Sequence, residues 1–573
     1  MGSAPESTWR RLVRGLDERT GLIAGIRSFA DSPVPGGARW RYVFGSALLS
    51  SFVTQIVTGV FLAFHFSPTL NDAWGSIVYL EEKVALGREL RALHHWGANV
   101  MVGVMILHFA QVVLAGAYKR PRELNWIIGL AAGGLVLMLA LTGYLLPLDE
   151  RGYYATQVAL NITASVPGVG PSAVSILQGG ARFGVESMSR FYTLHAMVLP
   201  GALALLVVLH VVFVHRLKVT APFSAAATNE PFWPRQAFRD ALAMSAAFAL
   251  TVVLALAVGT PLLAPADPAR AFDARPEWYF LPLFELLKLL EGDLLLVGTV
   301  VLPGVAALAL VLLPWLDRAP TVATRSRLRV IIPVFFGLAI AASLGAKAAL
   351  DDANSPEYQR RMSDAHRAAE RARALAKQGG IPPSGPTHLY ENDPVAHGER
   401  LFLRHCRDCH AIAGDGGRSA PDLAGYRSPK WYREFFRDPN TTKYYGHEES
   451  VSKGAMKSIE KLGDEKLVAL AAFFARGAEM RGVDEGTAKR GETVWKGESC
   501  MELCHTFSGA ANPSGNVPDL KGHGSRGWLR GFLVAPGDAR FFGKRNRMPS
   551  FRDKLSSAER DAVIEFVATL HEK

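Results

Sequence analysis

The sequence predicts an all-α protein: a bundle of seven transmembrane helices followed by two small helical modules. The chain has 573 residues, 49% of them apolar, and contains seven long runs that are almost free of charged side chains. Each run provides about the 20 residues that a helical membrane span needs. A short polar module then occurs twice beyond residue 390. This apolar content excludes a disordered chain, and four cysteines are too few for a disulfide scaffold.

The seven predicted spans, named A to G, cover residues 42–64, 96–118, 124–148, 191–215, 241–265, 294–316 and 330–346. Basic segments precede spans A and G and follow spans B and D, so the positive-inside rule predicts that these four segments face the cytoplasm. With seven spans, everything after residue 350 is then expected on the opposite face. The formal net charge of +11 therefore indicates membrane topology, and nucleic-acid binding is the weaker interpretation.

Six segments follow from this pattern. Residues 1–41 form an arginine-rich segment without the apolar core and cleavage site of a removable signal peptide. Residues 42–217 are predicted as a four-helix domain and residues 218–350 as a three-helix domain. A linker, 351–392, contains a charged helical stretch and the breaker sequence GGIPPSGP. The repeated modules are predicted at 393–480 and 484–573.

The two modules share four features at offsets of 92 to 97 residues. These are Cys409-His410 and Cys504-His505, Pro421-Asp422-Leu423 and Pro518-Asp519-Leu520, Trp431 and Trp528, and Met456 and Met548. Such self-similarity indicates that one small module has been duplicated.

The first module contains the spacing for covalent haem attachment. In Cys406-Arg-Asp-Cys409-His410, two thiols can form thioethers and the adjacent imidazole can bind iron. Met456 stands where a second axial ligand is expected; the alternative role of a single Met is core packing.

The second module departs from this spacing, because three residues separate Cys500 from Cys504 before His505. A disulfide or a lost haem site is the alternative there. Because Met548 is kept, a second covalent haem is predicted. Modules of this type resemble class I cytochrome c.

Histidines within the spans predict two further haems. The helix of span B has His94, two residues before the uncharged run, and His108, and span D has His195 and His210, fourteen and fifteen residues apart. Each pair lies near one helix face with about 21 to 22 Å between its members. Helix A has Gly45 and Gly59, and helix C has Gly129 and Gly143, again fourteen apart. Satisfied polar groups and close helix packing are the alternatives, but the four agreeing spacings favour two bis-histidine haems b.

Residues 30–350 resemble cytochrome b of the quinol:cytochrome c oxidoreductases and the related photosynthetic complex. The matching strings are LHHWGANVMVGVMILH, KRPRELNW, TGYLLP, RFYTLH and Pro276-Glu277-Trp278-Tyr279. The resemblance implies one haem between His94 and His195 near the outer face and another between His108 and His210 near the cytoplasmic face. It implies that Glu277 accepts a proton from quinol; the alternative role of this glutamate is to cap a helix. It also implies that His215 and Asp240 line a quinone-reduction site, although His215 could instead extend to the membrane surface at a helix end.

The predicted function is therefore that of a cytochrome b subunit, fused to a dihaem cytochrome c, in a bacterial proton-translocating bc complex. Quinol oxidation would send one electron to a Rieske iron–sulfur protein and the other through the b haems to a quinone. The chain has no Rieske ligand pattern, so that protein is expected as a partner. Further expected partners are the quinone pool, the lipid bilayer, a soluble or membrane-bound acceptor such as cytochrome c, and a second copy of the complex.

The bacterial inner membrane is the expected location, with the N-terminus in the cytoplasm and the cytochrome c modules outside it. The main competing function is a membrane electron conduit or anchor for a different dehydrogenase or reductase. A haem-based sensor is a third possibility, but the sequence shows no recognisable output domain.

Overall fold

The computed structural model describes residues 8–180, 182–220, 229–268, 272–290, 292–319, 322–446, 457–498, 505–510 and 517–572. The chain divides into two compact units. The first comprises residues 1–266, 272–374 and 383–386, and the second comprises residues 267–271, 375–382 and 387–573. Both are helical, and the strands within the described ranges form two short two-stranded sheets.

The helices from the N-terminus to the linker are α1 (Thr8–Thr20), α2 (Leu22–Ala30), α3 (Phe44–Ala63), α4 (Ala73–Lys83), α5 (Gly87–Ala115), α6 (Glu123–Leu145), α7 (Glu150–Ala164), α8 (Gly170–Gln178), α9 (Val185–Leu217), α10 (Arg235–Val258), α11 (Leu281–Leu289), α12 (Val297–Leu316), α13 (Thr324–Asn354) and α14 (Pro356–Gly379). The strands β1 (Pro33–Pro35) and β2 (Asn229–Pro231) pair antiparallel.

Seven of these helices are long and apolar enough to cross a membrane, within the part of the chain that the structure describes. They are α3, α5, α6, α9, α10, α12 and α13, which confirms the predicted number of spans. Several helices extend beyond the predicted runs: α5 begins at Gly87, α9 begins at Val185 and α13 continues to Asn354. The added turns of these three helices carry charged side chains, which a search for uncharged residues leaves out, whereas the run predicted for span E continues past the end of α10 at Val258.

Helix α9 is not regular throughout. A π-helical turn occupies Leu194–Val198, directly before Pro200, which has no N–H for the α-helical ladder. A π-turn accommodates an additional residue within a helix. Because His195 lies within this turn, which continues toward His210, the spacing of fifteen residues on α9 becomes equivalent to the fourteen residues between His94 and His108 on regular α5.

The four basic segments lie at the same end of the first unit. The pairing of β1 with β2 joins the segment before α3 to the segment before α10. Arg122, before α6, donates to the carbonyl oxygen of Leu217 at the end of α9 (3.0 Å). Arg327, within the first turns of α13, is buried and donates to Asp317 (2.9 Å) and to the carbonyl oxygen of Leu114 (3.1 Å). These contacts agree with the predicted placement of the segments on one side of the membrane.

The helices of the second unit are α15 (Pro394–His405), α16 (Pro429–Arg437), α17 (Asp464–Gly477), α18 (Glu485–Gly497), α19 (Arg526–Val534) and α20 (Ser557–Thr569). The strands β3 (Ala411–Ile412) and β4 (Asp415–Gly416) form a small hairpin. Aromatic and aliphatic side chains from both repeats make one continuous core.

The two repeats exchange their terminal helices, which the sequence analysis does not foresee. Helix α15, the first helix of repeat one, packs on α20, the last helix of repeat two, and α18 packs on α17. A Cβ atom at Gly398 would lie 1.9 Å from the carbonyl oxygen of Ala562, and one at Gly491 would lie 1.9 Å from that of Ala469. Glycine is thus needed at both crossings, because any side chain would separate the helices.

Candidate functional site

The four span histidines form two facing pairs between α5 and α9. The ring centroids of His94 and His195 are 6.2 Å apart with the rings at 77°, and those of His108 and His210 are 6.3 Å apart at 81°. Two metal–nitrogen bonds of about 2 Å each account for about 4 Å of this separation. The rest of the separation matches the distance from the ring centroid to the ring nitrogen, counted once for each imidazole. Each pair of histidines would therefore fit one iron between its two imidazoles.

Each pair lies close to one end of the bundle. His195 faces Gly143 and His94 faces Gly59, toward the carboxyl ends of α6 and α3, whereas His210 faces Gly129 and His108 faces Gly45 toward their amino ends. A Cβ atom at Gly143 would lie 2.5 Å from His195 Cε1, and at Gly59 and Gly129 the corresponding distance is 3.2 Å. The predicted glycines therefore leave room for the imidazole rings themselves.

Threonines next to two of these glycines orient the ring nitrogens. Thr58 Oγ1 donates to the carbonyl oxygen of Thr54 (2.7 Å) and lies 2.9 Å from His94 Nδ1. Because the hydroxyl proton is already used, Nδ1–H of His94 is the donor in the second contact. Thr142 Oγ1 is placed in the same way, 3.2 Å from His195 Nδ1.

Backbone carbonyls lie within hydrogen-bond distance of two of the four rings, those of His195 and His210. His195 Nδ1 is 3.1 Å from the carbonyl oxygen of Leu139, and His210 Nδ1 is 3.2 Å from that of Asn125. With Nδ1 protonated, Nε2 is free to bind a metal. Neither threonine was predicted from the sequence, although the repeated Thr-Gly pairs at 58–59 and 142–143 are a usable signal.

A cavity of about 160 Å³ lies at the end of the first unit that contains the His94–His195 pair. It is lined by Tyr144, Arg151, Phe272, Asp273, Arg275, Pro276, Glu277, Tyr358 and Met362. Glu277 is half-buried here. Burial raises the pKa of Glu277 above its usual value of 4.5, and the positive charge of Arg151 partly opposes this. The cavity therefore contains a carboxylate suited to accept a proton.

The linker helix contributes to the wall of this cavity. Tyr358 of α14 lies under the guanidinium of Arg275, 4.7 Å from the ring centroid. Arg275 also binds Asp352 at the end of α13 (Nε to Oδ2, 2.9 Å). These contacts fix the segment that precedes Pro276 and Glu277. Arg151, Arg275 and Tyr358 were not predicted from the sequence as residues of this site.

The other two members of the Pro276–Tyr279 motif point toward the bundle. Trp278 Nε1 donates to Asn99 Oδ1 of α5 (2.9 Å). Tyr279 packs against the apolar cluster of α3, α5, α6 and α9 that contains Met101 and Leu203. The motif thus brings Glu277 to the cavity while its aromatic neighbours attach it to the helices that hold the histidines.

The predicted quinone-reduction residues lie at the opposite end, near the basic segments. Asp240 is buried and accepts hydrogen bonds from Ser46 (2.8 Å) and Gln236 (2.7 Å). His215 is exposed, and its ring stacks on Phe29 with centroids 6.0 Å apart. In the described ranges these two side chains have different neighbours and share no hydrogen bond.

In the second unit, His410 and His505 are held in the same way. His410 Nδ1 lies 2.8 Å from the carbonyl oxygen of Pro421, and His505 Nδ1 lies 2.9 Å from that of Pro518. Nε2 is thereby free for iron in both repeats. Cys406 is buried and Cys409 is exposed, and neither forms a disulfide. The predicted residues Met456, Cys500 and Cys504 lie outside the described residues.

The hydrogen bonds of the Pro-Asp-Leu segments explain why this segment occurs in both repeats. Asp519 is fully buried and accepts from the backbone N–H groups of Ser508 (2.9 Å), Gly509 (3.0 Å) and Lys521 (3.1 Å). Leu520 N–H donates to the carbonyl oxygen of Thr506, next to His505 (2.9 Å). Pro, Asp and Leu each hold a different part of the loop around the histidine, and Asp422 and Leu423 repeat the pattern in the first repeat.

The arrangement agrees with comparisons to known families. Family models match at residues 29–218 (Cytochrome b/b6/petB), 265–352 (Cytochrome b(C-terminal)/b6/petD) and 395–476 (Cytochrome c). The menaquinol:cytochrome c reductase cytochrome b subunit of Geobacillus thermodenitrificans is 36% identical over 220 residues, which cover 37% of this chain and 98% of that protein.

Longer matches extend the similarity. The cytochrome bc complex cytochrome b subunit of Chlorobaculum thiosulfatiphilum is 33% identical over 315 residues, which cover 53% of this chain and 71% of the relative. Among solved structures, a hyperthermophilic respiratory Complex III chain is similar with a TM-score of 0.52 and 26% identity, covering 61% of this chain and 93% of that one.

Proposed function

Because the chain belongs to the cytochrome b/b6 family, we propose that it oxidises membrane quinol beside Glu277 as the cytochrome b subunit of a bacterial bc complex. The chain is a multi-pass membrane protein of the quinol:cytochrome c reductase type that continues into a cytochrome c domain, and these domains imply haem b and haem c. The proposal adds the sites, the number of haems and the path of the electrons.

One observation carries the proposal. The cavity with Glu277 and the buried Asp240 lie at opposite ends of one helical bundle, and both histidine pairs lie between them. A membrane anchor for another enzyme has no need of a proton-accepting carboxylate at one end and a second buried carboxylate at the other. Two separated quinone sites do need both.

At the first site, Glu277 acts as the proton acceptor. Quinol oxidation releases two protons in a region screened from water, where a carboxylate with a raised pKa accepts a proton readily. Arg151 limits the rise in the pKa of Glu277 and so keeps part of the carboxylate ionised. Tyr358 and Asp352 hold Arg275, which keeps the Glu277 segment in place. Asp273, whose side chain is 40% exposed and paired with Arg361, offers the proton a way toward solvent.

We propose two b haems, held by His94 with His195 and by His108 with His210, and two covalent c haems, one in each repeat. These groups, when bound, supply electron transfer. One electron from quinol goes to a partner Rieske protein and the other to quinone beside Asp240, as in a proton-translocating Q cycle. At that site Asp240, held by Ser46 and Gln236, supplies a proton, with His215 as its proposed companion.

The proposed setting is the bacterial inner membrane, with the basic segments in the cytoplasm and the repeats outside it. There the c repeats pass electrons to a downstream carrier such as a cytochrome c. A homodimeric complex is part of the proposal, by analogy with the family.

The test replaces the proton acceptor. Glu277→Gln removes the titratable carboxylate, so quinol-to-acceptor turnover in membranes should fall by about 100-fold, the usual size of a general-base contribution. Since Glu277 acts in its deprotonated form, wild-type turnover should decline as the pH falls through the raised pKa of Glu277, and the variant should lack this acidic decline.

The matched control is Glu186→Gln, an exposed glutamate at the start of α9, which should keep wild-type turnover. The b-haem spectra of both variants should equal that of the wild type. Wild-type turnover in Glu277→Gln, with an unchanged pH profile, would exclude Glu277 as the acceptor and favour a simple electron conduit.

A further inference from the structure

The helix exchange divides the second unit into two lobes that each contain parts of both repeats. The first lobe combines residues 394–423, which include the attachment motif of repeat one, with residues 526–572 of repeat two. The second lobe combines residues 485–498, 505–510 and 517–520 of repeat two with residues 429–446 and 457–477 of repeat one. The chain passes between the lobes at 424–428 and 521–525.

Three contacts define the first lobe. Phe402 of α15 packs on Phe566 of α20 with ring centroids 5.4 Å apart. Gly398 lies directly against the backbone of Ala562. Gly425, which follows the Pro-Asp-Leu segment of repeat one, donates its N–H to the carbonyl oxygen of Leu570 (2.8 Å). Cys406 follows α15 immediately, so the first attachment motif is fixed beside the last helix of repeat two.

The second lobe shows the reciprocal contacts. Trp495 of α18 packs on Phe474 of α17 at 5.5 Å, and Phe507, two residues after His505, packs on Phe473 at 5.2 Å. Tyr432 of α16 also packs on Phe474, at 5.6 Å. His505, the described residue of the second attachment motif, is therefore placed beside the later helices of repeat one.

The connections are short and cross each other. Only five residues separate Leu423 from Pro429, and Arg427 among them adopts a left-handed conformation with φ of 73°. Its guanidinium donates to the carbonyl oxygen of Gly524 in the other connection (3.0 Å). A short connection that cannot fold back favours exchange of equivalent halves between two copies of one module.

Met548 belongs to the half that packs beside the first attachment motif. It lies between α19 and α20, and those helices are joined by the ion pairs Arg526–Glu565 and Arg530–Asp561. Three residues after Met548, Phe551 donates its N–H to the carbonyl oxygen of Leu533 in α19 (2.9 Å).

The backbone at Met548 is fixed as well. Asn546 Oδ1 accepts from Met548 N–H (3.1 Å), and Asn546 Nδ2 donates to the carbonyl oxygen of Met548 (2.7 Å). The half-buried thioether is thus presented from a rigid segment, as an axial ligand must be.

We propose that Met548 of repeat two, and not Met456 of repeat one, completes the haem site of Cys406, Cys409 and His410. The inference rests on the proposed covalent haem at that motif and reverses the pairing that sequence spacing alone indicates. Each haem site is then assembled from both repeats, so neither repeat forms a complete site by itself. Two hydrogen bonds connect parts of the same repeat: the N–H of Asp422 donates to the carbonyl oxygen of Lys443, and that of Asp519 to the carbonyl oxygen of Arg540 (both 2.9 Å). The test must therefore exclude the alternative in which each haem takes its Met from its own repeat.

The test uses the full chain with one covalent haem. In Cys500→Ser/Cys504→Ser, haem staining and the sulfur-to-iron charge-transfer band of the oxidised protein report the haem at Cys406 and Cys409. Adding Met548→Leu should abolish that band and lower the reduction potential of this haem, because a Met ligand raises it. Adding Met456→Leu instead should leave both unchanged.

A second parent variant, which lacks the cysteines of the first motif instead, provides the same test if the first parent variant folds poorly. In Cys406→Ser/Cys409→Ser, Met456→Leu should abolish the band and Met548→Leu should not. Loss of the band with Met456→Leu in the first background, or with both Met variants or with neither, would overturn the inference while leaving the haem of the proposed function in place. A single-haem parent without any haem stain would remove that haem and the inference together.

Discussion

The two units hold their histidines by different means. In the membrane unit, the ligands of one candidate site come from two rigid helices, and sites repeat at a helical spacing of fourteen residues with a π-turn to correct the spacing of fifteen. In the second unit, the thiols and the imidazole are adjacent in sequence, and a loop of hydrogen bonds from Pro, Asp and Leu fixes them.

This difference follows from how each haem is proposed to be held. A haem without covalent attachment depends on ligands that are already in place, and long helices in a membrane position them with little freedom. A covalently attached haem stays with its motif, so the rest of its pocket can come from a distant part of the chain. The first arrangement is sensitive to steric intrusion and the second to loss of loop structure.

We expect the largest effect on haem b content when a methyl group is added to a glycine that faces a histidine of the membrane unit. In Gly143→Ala the added Cβ would lie 2.5 Å from the His195 ring, so the ring must move and the haem b content should fall to about half. The pyridine haemochrome ratio of b to c haem measures this. Gly45→Ala is the matched control, because its Cβ would lie 3.6 Å from His108, an ordinary contact, and should leave the ratio unchanged. Equal ratios in the two variants would show that the glycines do not make room for the rings.

In the second unit, the corresponding change removes a loop anchor. Asp519→Ala leaves three backbone N–H groups without their carboxylate partner. Since hydrogen bonds to charged groups are worth about 1.5–3 kcal/mol, we expect the free energy of unfolding of this unit to fall by about 3 kcal/mol. Denaturant titration followed by c-haem absorbance checks it. Asp553→Ala, at an exposed position, should change it by less than about 0.5 kcal/mol; a similar loss in both variants would contradict the anchoring role.

The smallest effect concerns a single hydrogen bond to a ligand. Thr58→Val removes the oxygen that accepts from His94 Nδ1, and loss of such a partner lowers metal-site affinity by about tenfold or more. Thr142→Val should lower the affinity by less, because His195 Nδ1 still donates to the carbonyl oxygen of Leu139. Loss of b haem during detergent dilution, followed by absorbance, measures both. A greater loss in Thr142→Val would show that the threonines act by packing rather than through Nδ1.

Much of the membrane unit was predictable because its signals are local. An uncharged run of 20 residues identifies a span, and two histidines fourteen residues apart identify one helix face. The cavity around Glu277 was only partly predictable. Arg151 and Tyr358 reach it from α7 and α14, and no spacing in the sequence relates either residue to Glu277.

By itself, the sequence determined the seven spans, the positions of the histidines along them and the duplication of a CxxCH-like module, since each depends on residues close together in the chain. Only the tertiary structure decided which halves of the repeats pack together. Equivalent helices of the two copies present nearly the same apolar face, with a glycine at each crossing, so the choice between them depends on the reach of the five connecting residues.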